Sequence, residues 1–397
     1  MLRIVTCTGR RSFLLLSLWA ALSTASAQDA GDDAPVPGWR EEFAREYELP
    51  RDYGHDWRLG SMFGYTPEDG LLIGTGAILY EFGFRTYPYV YRMSLTAGIS
   101  IPTLNYRVVY TLQMPALGQQ TSLDLYAHAS ALEIRNFYGY GNDSPRNETL
   151  EEDGYYRIPS REFWIRPTIF YSLGDFSRIG LGVWLKQFRV RSTDGKILTQ
   201  ADLDSLGDDR ATAGIGARFI WDSRDQEAFT TSGVLARLEG WHYGGLVSSQ
   251  APFQRISLDV RLYAGIPLPE KSALALRFGG ERLWGDYPFY ESAFLGGGTS
   301  LRGYLSQRFS GDAMAFGSAE LRLRLGRWRV LVPSEFGITV FGDAGRVWFE
   351  KSSPGSWHAD AGVGLWAAPV FRELLFSFSL ASSVEGLFLH ATTGMSF

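Results

Sequence analysis

The 397-residue chain combines 15% aromatic residues and 45 glycines with a formal net charge of −5. This acidic balance argues against nucleic acid as a partner. The single cysteine, Cys7, leaves no disulfide framework. Abundant aromatic residues and glycines with almost no cysteine suit an outer-membrane β-barrel better than a soluble fold.

Residues 1–27 have the pattern of a secretory signal peptide. Arg10 and Arg11 precede an apolar run at 13–22, and the small residues 25–27 form a cleavage site. The arginine pair also resembles a twin-arginine signal. We favour an ordinary basic region, because a membrane barrel should cross the inner membrane unfolded. Export through a cleaved signal peptide is therefore expected.

Residues 28–56 are predicted to be a short periplasmic leader. Residues 28–37 are acidic and contain proline, and residues 39–49 could form one or two amphipathic turns before Pro50. The leader is far too short for a folded periplasmic domain. A client polypeptide or a periplasmic helper would have to bind here.

Residues 57–397 alternate apolar and polar side chains with the period of β-strands. Leu321 and Leu323, for example, alternate with Arg322 and Arg324. A soluble sandwich would show the same alternation, so the pattern alone does not decide. The segments run about 10 to 13 residues, and the connections alternate short with long, as in outer-membrane barrels.

Counting these segments predicts an all-β fold, a 16-stranded antiparallel transmembrane β-barrel with both ends in the periplasm. The longer connections (137–160, 192–209, 285–312 and 344–357) then all face outward. The predicted strands are 57–66, 70–80, 88–99, 104–114, 121–136, 161–173, 178–191, 210–222, 233–244, 254–266, 272–284, 313–326, 334–343, 358–367, 374–381 and 386–397.

Charged residues of the strands are predicted to face the lumen. On the lipid side each would cost about 2–4 kcal/mol at the membrane midplane. Their mixed signs favour a hydrogen-bonded, partly filled interior over a selective ion path, although charges that are merely hydrated remain an alternative. The set is Arg107, Arg237, Glu239, Asp259, Arg261, Arg277, Glu281, Glu320, Arg322 and Arg324.

Residues 294–309 form the loop around which the chain is organised. Glycines 296–298 precede an arginine-bearing motif, and the whole is far longer than a hairpin needs. The alternative is that the arginine is only a solvated loop cation. The motif consists of Leu301, Arg302, Gly303 and Tyr304.

Three further stretches accompany this loop. Phe341, Asp343 and Gly345 lie at a predicted strand end with a single carboxylate. Residues 137–143 read Phe-Tyr-Gly-Tyr-Gly-Asn-Asp. The predicted turn between strands eight and nine contains Asp222, Arg224, Asp225 and Gly233.

Together these motifs resemble the bacterial surface-antigen barrel superfamily, to which BamA, TamA and FhaC belong. Residues 301–304 are similar to its V/I/L-R-G-F/Y motif, and residues 341–345 to its F-x-D-x-G strand motif. The resemblance implies that the loop between strands 11 and 12 folds into the lumen, where Arg302 bonds Asp343. Glu320 is a possible second acceptor.

The resemblance implies outer-membrane protein assembly, insertion or translocation, with client polypeptides as partners. Members of that family carry periplasmic POTRA domains, for which we expect no room in this chain. The resemblance therefore supports the fold more than an insertase activity. A passive channel or structural barrel is the alternative.

The last predicted strand ends in Phe397, on one face with Leu387 and Leu389. A terminal aromatic residue on an alternating strand is the signal by which outer-membrane proteins reach their assembly machinery. Gly394 interrupts this strand and should weaken the seam between the first and last strands.

No enzyme, cofactor or metal site is predicted. The five histidines are scattered, and no Gly-x-Ser-x-Gly elbow is present. Asp202, Asp204, Asp208 and Asp209 could hold calcium, but their spacing fits a solvated acidic loop tip better. The expected surroundings are the lipid of a bacterial outer membrane.

Overall fold

The computed structural model describes residues 53–66, 70–84, 86–101, 104–132, 134–199, 209–226, 229–244, 252–267, 272–328, 333–350, 354–369 and 375–397. The predicted signal peptide, residues 28–52 of the predicted leader and Asp202, Asp204 and Asp208 lie outside these ranges and stay predictions. No helix within the described ranges is both long and apolar enough to cross a membrane.

Within these ranges sixteen strands form one closed antiparallel barrel, which confirms the predicted fold. Each strand pairs with its neighbours in the chain, and the last strand pairs with the first. The strands are β1 Gly54–Thr66, β2 Gly70–Gly83, β3 Thr86–Ile101, β4 Tyr106–Met114, β5 Thr121–Ser130, β6 Arg157–Ser172, β7 Ser177–Val190, β8 Asp209–Asp222, β9 Gly233–Tyr243, β10 Phe253–Ile266, β11 Ser272–Gly285, β12 Ala313–Trp328, β13 Ser334–Trp348, β14 His358–Pro369, β15 Phe376–Ser383 and β16 Gly386–Thr393.

The outer face of the barrel is apolar, because the period of two sends every second side chain outward. Leu181 on β7, Ile215 on β8 and Leu365 on β14 are 72%, 54% and 63% exposed. A closed barrel with an apolar outer surface satisfies its backbone internally and is solvated by lipid.

The lumen contains paired charges. Asp259 on β10 accepts from Arg261 and from Arg277 on β11, with N–O distances of 2.8 Å in both pairs. Glu239 on β9 pairs with Arg218 on β8 at 2.9 Å. These contacts favour the hydrogen-bonded, filled interior over charges that are merely hydrated.

Connections at one end of the barrel, which we call the loop end, fold over the lumen. They include a short helix, α1 Glu148–Glu152, and a 3₁₀ turn, Phe289–Glu291. Side chains from these connections and from the adjoining ends of β6 and β7 pack together there into a buried cluster. Its members are Phe137, Ile158, Phe188, Leu198, Phe289 and Tyr290.

Several predicted boundaries were wrong. β1 begins at Gly54, inside the predicted leader. The predicted strand 121–136 is interrupted after Ser130, and a short strand, Ile134–Asn136, then pairs with the start of β6. β13 continues to Trp348, so Asp343 lies within a strand rather than at its end. β16 ends at Thr393, because the chain then turns away from the sheet. The alternation of apolar and polar residues does not show where a strand begins, bends or ends.

Candidate functional site

The connection between β11 and β12, which we call loop six, has a hairpin stem and an irregular tip. The stem pairs Ala293–Leu295 with Phe309–Gly311. Gly296 and Gly297 then adopt φ values of +121° and +85°. A Cβ on Gly296 would clash with the Leu305 carbonyl oxygen, so this fold requires the glycine run.

Arg302 lies at the tip, inside the barrel, and is 3% exposed. Its Nε and Nη2 donate to the two oxygens of Asp343 on β13, both at 2.8 Å. The Nη1 donates to Glu320 on β12 at 2.9 Å. The guanidinium also lies 3.4 Å from the centre of the Phe341 ring. Bidentate geometry of this kind requires arginine rather than lysine.

A second arginine balances the charge of this site. Arg322 on β12 donates to Glu320 at 3.0 Å, so Glu320 bridges Arg302 and Arg322. The two cations and the two carboxylates are nearly fully buried. Each of the two carboxylates thus lies against at least one arginine, which offsets part of the cost of burying these charges. Arg324 pairs separately, with Glu335.

Apolar contacts hold loop six against the paired strands β12 and β13, which we call the β12–β13 wall. Leu301 and Tyr304 are 0% and 2% exposed and pack with Leu295 of the stem. A Cβ on Gly345 of β13 would lie 3.0 Å from both Leu295 methyl groups. A Cβ on Gly303 would clash with the side chain of Asp360 on β14. Both motif glycines therefore make room for the loop.

Sequence reasoning missed two further anchors of loop six. Glu291 accepts two bonds of 3.0 Å from Lys186 on β7 and one of 2.8 Å from Arg255 on β10. Arg308 donates to Glu385, in the turn between β15 and β16, at 2.8 and 3.0 Å. These partners come from other strands and turns, so no local sequence pattern predicts them.

Residues 137–143 hold the loop from the opposite side. Gly141 donates to the Ser310 carbonyl at 2.8 Å, and Ser310 donates to the Gly139 carbonyl at 2.9 Å. The side chain of Asn142 accepts from the Val347 amide on β13 at 3.1 Å. The stretch thus links loop six to β13 through one backbone bond and two bonds between side chains and the backbone.

The predicted turn residues lie together, but away from loop six, between β8 and β9. Arg224 donates to both oxygens of Asp222, at 2.8 and 2.7 Å. Asp225 accepts from the Thr231 amide at 3.0 Å. Gly233 has φ of +109°, and a Cβ there would clash with the Ser223 carbonyl oxygen. These residues shape a turn.

The seam between β1 and β16 is short. Only Gly64 with Thr392 and Tyr65 with Ala391 are paired in the described structure. Beyond them β16 turns inward at Gly394, whose φ is +98°. No described strand lies opposite residues 59–62 on this side.

The prediction that Phe397 completes an alternating strand was wrong. Phe397 is 9% exposed and packs in the lumen against Tyr263 and Ala275. Its main-chain oxygen accepts from Arg322 at 2.5 Å, and Arg302 donates to the Ser396 hydroxyl at 3.1 Å. The last residues of the chain therefore join the site built around loop six.

Asp360 on β14 is another residue that sequence reasoning missed. It lies opposite Asp343 in the β13–β14 ladder and is 8% exposed. Neither of its side-chain oxygens has a hydrogen-bond partner among the described residues. Those residues also contain no group of three or more potential metal ligands.

Comparison with known families gives one match, to the Omp85 superfamily domain, over residues 91–384. No protein of curated function matches the chain.

Solved structures share the fold. BamA from Haemophilus ducreyi lacking POTRA domains 1–3 aligns with a TM-score of 0.60 and 15% identity, over 86% of this chain and 70% of that chain. CdiB from Escherichia coli aligns with a TM-score of 0.57 and 13% identity, over 86% of this chain and 63% of that chain. CdiB from Acinetobacter baumannii aligns with a TM-score of 0.50 and 12% identity, over 87% of this chain and 66% of that chain. The chain thus spans less than two thirds of either CdiB chain.

Proposed function

Because this chain belongs to the Omp85 superfamily, whose barrels lie in the bacterial outer membrane, we propose that it acts in the assembly, insertion or translocation of other polypeptides there. The observation that carries the proposal is the seam. Two paired positions close the sheet between β1 and β16, and the edge of β1 below them has no described strand opposite it.

An open strand edge is a template for another strand. Residues 59–62 present backbone donors and acceptors within the membrane-spanning wall, where water cannot satisfy them. An extended client segment that adds to this edge would supply those bonds and leave its alternate side chains to lipid and lumen. The client is thus proposed to be a polypeptide with period-two alternation.

The filled lumen supports assembly over the alternative of a passive channel. Arg302 crosses to the β12–β13 wall, and Glu291 is held between Lys186 and Arg255 on β7 and β10. Loop six therefore crosses the lumen and is anchored to strands on two sides of it. A steady aqueous path would require breaking these buried contacts.

Further parts of the proposal concern the route to the membrane. Residues 1–27 act as a cleaved signal, and residues 28–53, which precede β1, offer a contact for a periplasmic helper or client. The assembly machinery reads the C-terminal segment, residues 386–397, before folding, because Phe397 is 9% exposed in the folded barrel. The chain catalyses no covalent chemistry.

A disulfide across the seam tests the proposal. Tyr65→Cys with Ala391→Cys joins two positions that face each other in the ladder. The matched control is Leu238→Cys with Leu258→Cys, an opposed pair between β9 and β10 whose members are each 46% exposed. Each oxidised protein is placed in lipid vesicles, and insertion of a small outer-membrane barrel is followed by its heat-modifiable gel mobility.

We expect the seam disulfide to abolish insertion, reduction to restore it, and the control disulfide to leave it unchanged. Equal insertion with and without the seam disulfide would refute the proposal. Large and steady conductance in planar bilayers, unaffected by either disulfide, would instead favour the channel.

A further inference from the structure

Arginine side chains cluster on the outer face of the barrel, at the loop end of β6 and β7. Arg161 of β6 lies directly opposite Arg189 of β7 in the ladder, and both are exposed. Residues opposite each other in an antiparallel ladder share a face, with Cβ atoms about 4.5–5.5 Å apart. Arg191, which is also exposed, follows just after the end of β7. We call these three residues the arginine patch.

The arginine patch lies above a column of apolar side chains that face lipid. On β7 the column contains Ile179, Leu181 and Leu185, which are 44%, 72% and 42% exposed. Arg189 lies ten positions beyond Ile179 on the same face. A rise of about 3.3 Å per residue and a strand tilt of about 40° convert that spacing into a height of about 25 Å. The apolar band of a membrane barrel is about 25 Å tall, so the arginine patch lies at the level of the lipid headgroups.

Aromatic side chains mark the opposite boundary of the apolar band. Phe176, in the turn before β7, and Trp221, near the end of β8, have ring centres 6.2 Å apart. Their exposed fractions are 53% and 41%. Aromatic girdles of this kind lie at membrane interfaces. The apolar column therefore begins at one interface, and the arginine patch lies at the other. The predicted topology, with both chain ends in the periplasm, assigns that second interface to the outer leaflet.

The arginine patch carries more positive charge than its neighbours on the wall offset. Like charges directly opposite each other in a ladder destabilise it. The ladder places Asp209 of β8 on the other side of Arg189. Arg191 Nη1 donates to the side-chain oxygen of Asn105 at 3.2 Å, and this partner is neutral. One carboxylate position thus accompanies three arginines, which favours an anionic ligand here.

From this arrangement we propose that the arginine patch binds the phosphate groups of lipids in the outer leaflet. A guanidinium group donates to a phosphate through two parallel hydrogen bonds, so neighbouring arginines can bind one phosphate together. The acyl chains of the same lipid lie along the apolar column and along Phe163 of β6, which is 49% exposed. The site lies on β6 and β7, apart from the β1–β16 seam in the sheet.

Binding is measured on the full chain, folded in detergent, by native mass spectrometry with added lipid A, a bisphosphorylated glycolipid. Lipid A from which the phosphates have been removed is the matched ligand, because its acyl chains are the same. Inorganic phosphate at the same phosphorus concentration tests whether a free anion is enough. We expect lipid A to bind, the dephosphorylated lipid to bind far more weakly, and inorganic phosphate to leave lipid A bound.

Arg161→Gln combined with Arg189→Gln is the principal variant. Glutamine stays polar but loses the charge and the paired donors. We expect the affinity for lipid A to fall on the order of tenfold for each arginine, because charged hydrogen bonds are lost. Arg161→Lys with Arg189→Lys should recover part of the affinity, since lysine keeps the charge without the bidentate geometry.

Arg282→Gln is the matched control. Arg282 lies at the loop end of β11, with its side chain 35% exposed, but it has a carboxylate partner, Asp312, at 3.1 Å. Its replacement should leave the affinity for lipid A unchanged. Heat-modifiable gel mobility shows that each variant is folded before binding is measured.

Equal binding of lipid A by wild type and by the double glutamine variant would overturn the proposal. An equal loss in Arg282→Gln would also overturn it, since any charge at the loop end would then serve. Equal binding of the dephosphorylated lipid, or displacement of lipid A by inorganic phosphate, would exclude a phosphorylated lipid as the ligand. No client takes part in these measurements, so each of these failures leaves the proposed function standing.

Discussion

The β12–β13 wall and the β1–β16 seam are two ladders of one sheet held in different ways. β12 and β13 pair along their whole length, from Ala313 opposite Trp348 to Trp328 opposite Ser334. The seam has two paired positions in the described structure. Loop six joins the two regions, because Arg302 bonds the wall through Asp343 and touches β16 through His390.

The difference shows how β16 is held where it lacks backbone bonds to β1: side chains bond it to loop six instead. The wall is held by the backbone ladder between β12 and β13. β16 is held on one edge by β15 and on the lumen side by loop six, through His390. Damage to loop six should therefore affect the seam strand more than the wall.

The largest effect is expected from Arg302→Ala. Its loss leaves Asp343 buried without its bidentate partner, and such losses run to about 3–5 kcal/mol. Urea unfolding followed by heat-modifiable gel mobility measures stability, and protease cleavage between residues 295 and 307 reports release of the loop. Asp343→Ala should behave alike, and the double variant should be no worse than either single one.

Arg327→Ala is the control for that measurement, since Arg327 pairs with Glu335 while its side chain is 52% exposed. A surface pair of this kind contributes under about 1 kcal/mol. Equal protection of the loop in wild type and Arg302→Ala would mean that this arginine does not anchor it.

Arg308→Ala should have the next largest effect and separates the seam strand from the wall. It removes the bonds to Glu385 beside β16 and to Ser144 in the β5–β6 connection, but leaves Arg302 on Asp343. Charged hydrogen bonds of this kind contribute about 1.5–3 kcal/mol. Hydrogen exchange should rise in β15 and β16 and stay low in β12 and β13. A uniform rise across both regions would contradict the comparison.

Gly345→Ala should weaken the wall side of the contact alone. A methyl group there would lie 3.0 Å from the Leu295 side chain, and overpacking of this kind costs about 1–3 kcal/mol. Gly342→Ala is the control on the same strand, because its nearest contact would be an ordinary 3.5 Å from the Asp360 carbonyl. If the two variants unfold at the same urea concentration, the close fit of loop six against β13 does not contribute measurably to stability.

Asp225→Ala gives the smallest effect and a reference outside both regions. The side chain caps the β8–β9 turn by accepting from the amides of Gln226 and Thr231. Its loss should lower the free energy of unfolding by about 0.5–1.5 kcal/mol. Loop six should keep its resistance to protease. Increased cleavage between residues 295 and 307 would show that the turn and the loop are coupled.

Much of the barrel was predictable because local chemistry repeats along it. Alternation such as Leu321-Arg322-Leu323-Arg324 fixes which side chains face lipid, and a closed barrel is what membrane solvation then requires. The Arg302 and Asp343 motifs also pointed to one lumen site, through their resemblance to a family. The boundary at Thr393 was not predictable, since the pattern to Phe397 continues as a strand.

The sequence by itself determined the alternation, the strand number and the positions of the loop-six glycines, because each depends on neighbours along the chain. Only the tertiary structure decided that Arg308 meets Glu385, that Glu291 meets Lys186, and that Phe397 lies in the lumen. These contacts join segments far apart in sequence. They depend on which side chains the closed barrel brings face to face, and period-two patterning carries no information about that.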